Sequence, residues 1–212
     1  MADSNDIPFS QQLREATQQA HTDAESSSFV GRLMSGACQR QEFIEYTAQL
    51  LPVYQALERE GASDHERARF DDPRLHRVAA LQADLEYLLG PGWRDRVRPL
   101  PVTAEYAAHI DAIRASTPAF VGHHYTRYLG DLSGGRIIAR KVGEHYGLTE
   151  GQPGLLFYAF GQIAKPKAFK DSYRRALDTA EWNPSQRQEV ITEARHAFAM
   201  NQAIFAALGQ RT

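Results

Sequence analysis

The sequence predicts an all-α protein, and three observations predict it. No segment keeps the period-two alternation of a half-buried strand. Apolar residues recur at helical spacing along nearly the whole chain. Proline, glycine and short polar residues punctuate that spacing where helices would start and stop. The chain has 212 residues, 42% hydrophobic and 24% charged, which is enough for one substantial core. A single compact domain of about eight helices is expected over 10–209, with a flexible tail at 1–9 and a short tail at 210–212.

Ser10 is the expected cap of a first helix that carries Leu13, Ala16, Thr17, Ala20, His21 and Ala24 on one stripe. The run Ser26 to Ser28 ends it, and a short helix follows over 29–34. The next helix carries Phe43, Ile44, Thr47, Leu50, Leu51, Tyr54 and Leu57 and stops at Gly61, with Pro52 inside it as a kink. Pro73 suits the first position of a helix with Leu75, Val78, Leu81, Leu85 and Leu88, which Gly90-Pro91-Gly92 breaks. Thr103 is the expected cap for Tyr106, Ile110 and Ile113. Pro118 opens a long segment that ends at Gly147 and holds Gly130-Asp131-Leu132-Ser133-Gly134-Gly135 in its middle. A loop with Pro153 and Gly154 precedes the longest apolar run, 155–160, and 167–179 is helical. Pro184 starts the last helix, with Val190, Ala194, Phe198, Asn201, Phe205 and Leu208, and Gly209 stops it.

Charge and cysteine content narrow the function. Lys and Arg number 24 against 26 Asp and Glu, a net −2, which argues against nucleic acid as the main partner. Cys38 is the only cysteine, so neither an internal disulfide nor a cysteine-rich metal site can form. No apolar run approaches the ~18 residues of a membrane span, and the acidic, polar N-terminus is unlike a signal peptide. A soluble, cytoplasmic protein is expected.

Three local features carry chemistry. His21 shares a face with apolar residues, so its ring must find a hydrogen bond, a metal or water. A hydrogen-bonded core histidine is the commoner outcome and ligation the sharper one. Glu25, one turn on, can orient the ring. The glycines at 130, 134 and 135 each cost a helix about 1 kcal/mol relative to Ala. They fit either a loop or a kinked helix whose backbone approaches a flat ligand. The basic cluster Lys165, Lys167, Lys170, Arg174 and Arg175 is either a solvated face or an anion grip. Lys170 and Arg174 share a helix face, and Arg14 lies two turns before His21, which suits a metal chelate with acidic arms.

Rival sites are weaker. Glu193-Ala-Arg-His196 is a lone Glu-x-x-His, where a di-iron bundle needs two. His123 and His124 are adjacent and point to different helix faces, so they do not readily chelate one ion. There is no nucleophile elbow, P-loop or dinucleotide fingerprint.

Leu13-Arg14-Glu15-Ala16-Thr17 followed by His21 and Glu25 resembles the ligand helix of haem oxygenases. The run from Tyr125 to Gly135 is similar to that family's distal-helix signature, and this eleven-residue match is the specific one. Phe169-Lys170 with Tyr173-Arg174 resembles its propionate-binding helix, and Ala197 through Asn201 to Phe205 its last helix. The likeness covers about residues 10 to 208 in order.

The resemblance implies haem b, both cofactor and substrate, sandwiched between the first helix and the kinked distal helix. His21 would ligate the iron, with Glu25 behind it. Gly130 and Gly134 would lie against the haem face and leave room for dioxygen. Asp131 would anchor a distal water network, Arg127 would pair with it one turn away, and Tyr54 and Asn201 match positions near that network. Arg14, Tyr125, Lys170 and Arg174 would hold the propionates, with Arg14 standing where lysine is common. A neutral histidine leaves iron able to bind dioxygen. Glycine backbone with ordered water delivers protons more gently than an acidic side chain over the ligand.

The implied reaction opens the ring to biliverdin, carbon monoxide and ferrous iron. The alternative is a haem carrier or sensor on the same fold, which would not need Asp131. With no Cys-x-x-Cys-His, haem would not be attached covalently. With no nicotinamide or flavin motif, electrons would come from a ferredoxin or flavoprotein reductase docking on Lys165, Lys167 and Arg175. The chain ends at Thr212 soon after the last helix, so a soluble, bacterial-type enzyme without a membrane anchor is expected.

Overall fold

The computed structural model describes residues 7–60 and 65–210. All regular structure among them is helical, as expected. The α-helices are α1 (Phe9–Glu25), α2 (Ser28–Ser35), α3 (Arg40–Leu57), α4 (Val78–Leu89), α5 (Trp93–Arg96), α6 (Pro101–Ala112), α7 (Thr117–His124), α8 (Gly130–Tyr146), α9 (Pro166–Asp178) and α10 (Pro184–Gly209). A π-helical stretch, Tyr125–Leu129, joins α7 to α8. Single 3-10 turns lie at Arg67–Arg69, Pro73–Leu75 and Leu156–Tyr158.

Of the tail expected over 1–9, residues 1–6 lie outside the described residues. Phe9 already belongs to α1, buried edge-on against Trp182 at 6.0 Å. The helix therefore begins before Ser10, and Ser10 caps nothing with its side chain. Its first-turn N–H instead donates to Asp178 Oδ1 of α9 at 2.8 Å, so a distant carboxylate satisfies the helix start. Residues 211–212 of the expected C-terminal tail and the expected stop at Gly61 also lie outside the described residues. α3 runs on through Pro52 and ends at Leu57.

Two other starts differ from expectation. Pro73 opens a 3-10 turn, and α4 begins five residues later. The reason is tertiary: Glu58, at the end of α3, takes the backbone N–H groups of Arg77 and Val78, so α3 itself caps α4. α6 starts at Pro101 rather than from a Thr103 cap. Thr103 is fully buried. Side chains do cap α10, where Asn183 and Gln186 form a reciprocal capping box, and α7, where the Ser116 hydroxyl accepts from the Ala119 N–H.

One hydrophobic core runs from Phe9 to Leu208. α10 packs along α7 and α1, and α3 packs against α4 and α6. The loop before α9 is pegged by buried Asp84 of α4, which accepts N–H groups from Gly154, Leu156 and Phe157 at 2.7, 2.9 and 2.8 Å. That peg seats Phe157 and Tyr158 beside α3 and α8. No helix among the described residues is long and apolar enough to cross a membrane.

Candidate active site

Tyr54 of α3 is fully buried and donates its hydroxyl proton to Asp131 Oδ2 on α8. The same hydroxyl accepts from Arg127 Nε at 3.2 Å. Arg127 then donates from Nη1 to Asn201 Oδ1 on α10. Four residues expected near one another thus form one chain of hydrogen bonds. Direct pairing of Arg127 with Asp131 gives way to a correction: Arg127 reaches Asp131 through the Tyr54 hydroxyl, which α3 inserts between them.

Burial raises the Asp131 carboxyl above the ordinary range, against the pull of Arg127 and the Tyr54 bond. Burial also pushes Tyr54 well above the usual phenol, so it keeps its proton. It works against the Arg127 charge too, but Tyr54, Asp131, Tyr106 and Tyr46 outweigh it and hold the guanidinium firmly ionised.

Gly130 and Gly134 lie one turn apart on α8, and a Cβ on either would meet nothing within 4 Å. The helix offers a bare strip of backbone to open space. Gly135 differs, because a Cβ there would come within 3.3 Å of the Tyr158 ring. Gly130 has ordinary right-handed φ and ψ of −61° and −51°, and the departure from α geometry is the π stretch just before it.

His21 lies on the α1 stripe between buried Thr17 and Ala24. Its side chain is 49% exposed, with Nδ1 3.5 Å from Glu25 Oε2. Its ring packs edge-on against Phe198 of α10 at 5.9 Å. It is not a core histidine, and Nε2 is left for a ligand.

The expected anion-binding residues gather by pairs. Burial raises the Tyr125 phenol while nearby Arg174 and Arg14 pull it down, with Thr17 alongside. Arg174 currently holds Asp171 at 2.8 Å. Lys170 Nζ donates to Ser133 Oγ at 3.0 Å, which ties α9 to the glycine-bearing turn of α8. A cleft of about 370 Å³ flanks Asp131, lined also by Leu132, Arg136, Tyr158 and Phe160.

Sequence reasoning missed one constellation. His109 Nε2 and His123 Nε2 each lie 2.8 Å from Glu193 Oε2, and His196 Nδ1 lies 3.2 Å from His109 Nε2. The only local signal was Glu193 and His196 one turn apart on α10; α6 and α7 supply the rest. His123 and His124 do point apart. His124 Nδ1 pairs with the Tyr173 hydroxyl at 2.9 Å, and burial keeps the ring neutral, down to about 3.

The model of the family described as "Heme oxygenase" matches residues 7–207. The chain is 36% identical to the Heme oxygenase of Rhodella violacea over 208 residues, 96% of this chain and 88% of that one. It is 35% identical to Heme oxygenase 1 of Synechocystis over 206 residues, covering 94% and 84%. It superposes on the crystal structure of Synechocystis heme oxygenase-1 in complex with heme with a TM-score of 0.85 at 32% identity, covering 97% and 94%. For Synechocystis heme oxygenase-2 in complex with heme and NO the TM-score is 0.89 at 32% identity, covering 95% and 85%.

Proposed function

The chain belongs to the haem oxygenase family, and from that premise we propose which of its residues carry the reaction. Its activity is the family's, the oxidative degradation of haem. Bound haem b supplies both the iron that activates dioxygen and the ring that is opened, to biliverdin, carbon monoxide and ferrous iron.

The residues present fit such a ligand. An exposed histidine and a bare backbone strip suit a flat group carrying a metal, and clustered cations suit its carboxylates. His21 offers Nε2 to the iron, with the Glu25 carboxylate 3.5 Å from Nδ1 on the side away from it, placed to orient the ring. Gly130 and Gly134 admit the ring and dioxygen without a side chain between them. Arg14, Tyr125, Lys170 and Arg174 orient the propionates. Asp131, held at Oδ2 by Tyr54, orders water with Oδ1 and passes protons from it. Arg127 and Asn201 keep Tyr54 aimed. Electrons come from a separate protein, a ferredoxin or flavoprotein reductase, on the exposed face of Lys165, Lys167 and Arg175. The buried, unpaired thiol of Cys38 suits the cytoplasm.

The observation that carries this reading is the Tyr54–Asp131 bond one residue from the bare Gly130. Adding ferric haem should give a histidine-ligated Soret band, and reductant under air should convert it to a biliverdin spectrum. His21→Ala should lose that band and the conversion. An unchanged band would remove His21 from the iron. A complex that never degrades would favour the carrier.

A further inference from the structure

We infer that His109, His123, Glu193 and His196 form a second metal site, distinct from His21, that binds one divalent zinc-type cation. The four ligand atoms come from α6, α7 and α10 and all lie within 4.8 Å of one another. A tetrahedral site with bonds of about 2.0–2.1 Å sets its ligand atoms roughly 3.3 Å apart. The observed separations straddle that value. Glu193 Oε2 is 2.8 Å from His109 Nε2, 2.8 Å from His123 Nε2 and 3.7 Å from His196 Nδ1, and the two nitrogens of His109 and His196 are 3.2 Å apart. His196 is the most exposed member, at 37%, and a modest rotation of its ring closes the set.

Protons alone serve the cluster poorly. If His109 and His123 both donate to Glu193, the His109 Nε2 proton is spent, and His196 Nδ1 can share it only in a bifurcated bond. If His196 donates to His109 instead, a bare nitrogen faces the carboxylate at 2.8 Å. One cation takes all four lone pairs. The surroundings already resemble a ligand's: the other ring nitrogen of His123, Nδ1, faces the Tyr106 hydroxyl at 3.3 Å, which would leave Nε2 for the metal.

Backbone packing builds the site. A Cβ at Gly122 would lie 2.7 Å from the Val190 carbonyl oxygen and 2.8 Å from the Ala194 nitrogen. That close approach of α7 to α10 sets His123 beside Glu193. Three imidazoles and one carboxylate complete a four-ligand sphere, so the site is structural rather than catalytic. It clamps three helices just before the π stretch that carries Tyr125 and Arg127.

The test uses chelator-treated, haem-free protein titrated with Zn²⁺ by calorimetry, and with Co²⁺ followed by visible absorption. One Zn²⁺ should bind per chain and raise Tm, and Co²⁺ should give the intense bands of tetrahedral coordination. His196→Ala and His109→Ala should each weaken Zn²⁺ binding about 100-fold or more while the haem Soret titration stays unchanged. His21→Ala should leave Zn²⁺ binding intact. Weak octahedral Co²⁺ bands in the wild-type protein overturn the site without any variant. So does Zn²⁺ binding that survives His196→Ala with His109→Ala, or that is lost with His21→Ala.

Discussion

On one side of the proposed haem site, Tyr54, Arg127, Asp131 and Asn201 form a buried chain of hydrogen bonds drawn from three stretches of sequence. On the other, His21 is half exposed and its charged neighbour Glu25 is 71% exposed on the same helix. The distal side belongs to the core, so a lost member there leaves partners buried and unmet. The proximal side is a surface feature of α1, and its loss costs the fold little. Effects on activity and on stability should therefore separate cleanly at His21 and run together on the distal side.

Asp131→Ala should break that pairing most. Haem binding should persist, biliverdin formation should fall by about 100-fold or more, and peroxidase activity should appear in a guaiacol assay. Full ring opening in this variant would remove Asp131 from the proton path. Arg127→Ala should show the coupling of fold and site, with a loss of about 3 kcal/mol in denaturant unfolding because it strips a charge from a buried network. A loss under 1 kcal/mol would mean that Tyr54 and Asn201 do not depend on it.

The glycines sharpen the contrast with opposite signs. Gly134→Ala meets no atom within 4 Å, so thermal unfolding should show a gain of about 1 kcal/mol from helix propensity. The same change should weaken haem in a Soret titration. Gly122→Ala should instead destabilise, since its Cβ would strike the backbone of α10. The smallest effect lies outside both regions. The Asp71 hydrogen bond at 3.1 Å raises the His76 pKa against burial. Its stabilising share is full below the ordinary histidine value of about 6.5 and fades as pH rises through the raised folded value. The Tm difference between wild type and His76→Gln should shrink from pH 5.5 to pH 8.5, and a constant difference would deny the linkage.

Much of this was legible in one dimension. The 3.6-residue spacing marked the helices, and the Tyr125 to Gly135 signature marked the proposed distal wall. What was hidden depended on partners far along the chain. The start of α4 is set by Glu58 of α3 and that of α1 by Asp178 of α9. Arg127 and Asp131 are four residues apart in sequence, yet a tyrosine from α3 stands between them. The histidine cluster was hidden for the same reason, since its members lie 14, 70 and 87 residues apart along the chain.

The π stretch also sets an angle. A wide turn holds one residue more than the α turn it replaces, so everything after it is rotated by about 100° relative to α7. In the proposed site, that offset turns the open strip at Gly130 and Gly134 toward the haem. Removing a single codon within 125–129 would leave composition and hydrophobic pattern almost untouched. It would nonetheless swing α8 by about that angle and turn side chains, not bare backbone, toward the ligand. The length of this segment is therefore as much a part of the proposed active site as its residues.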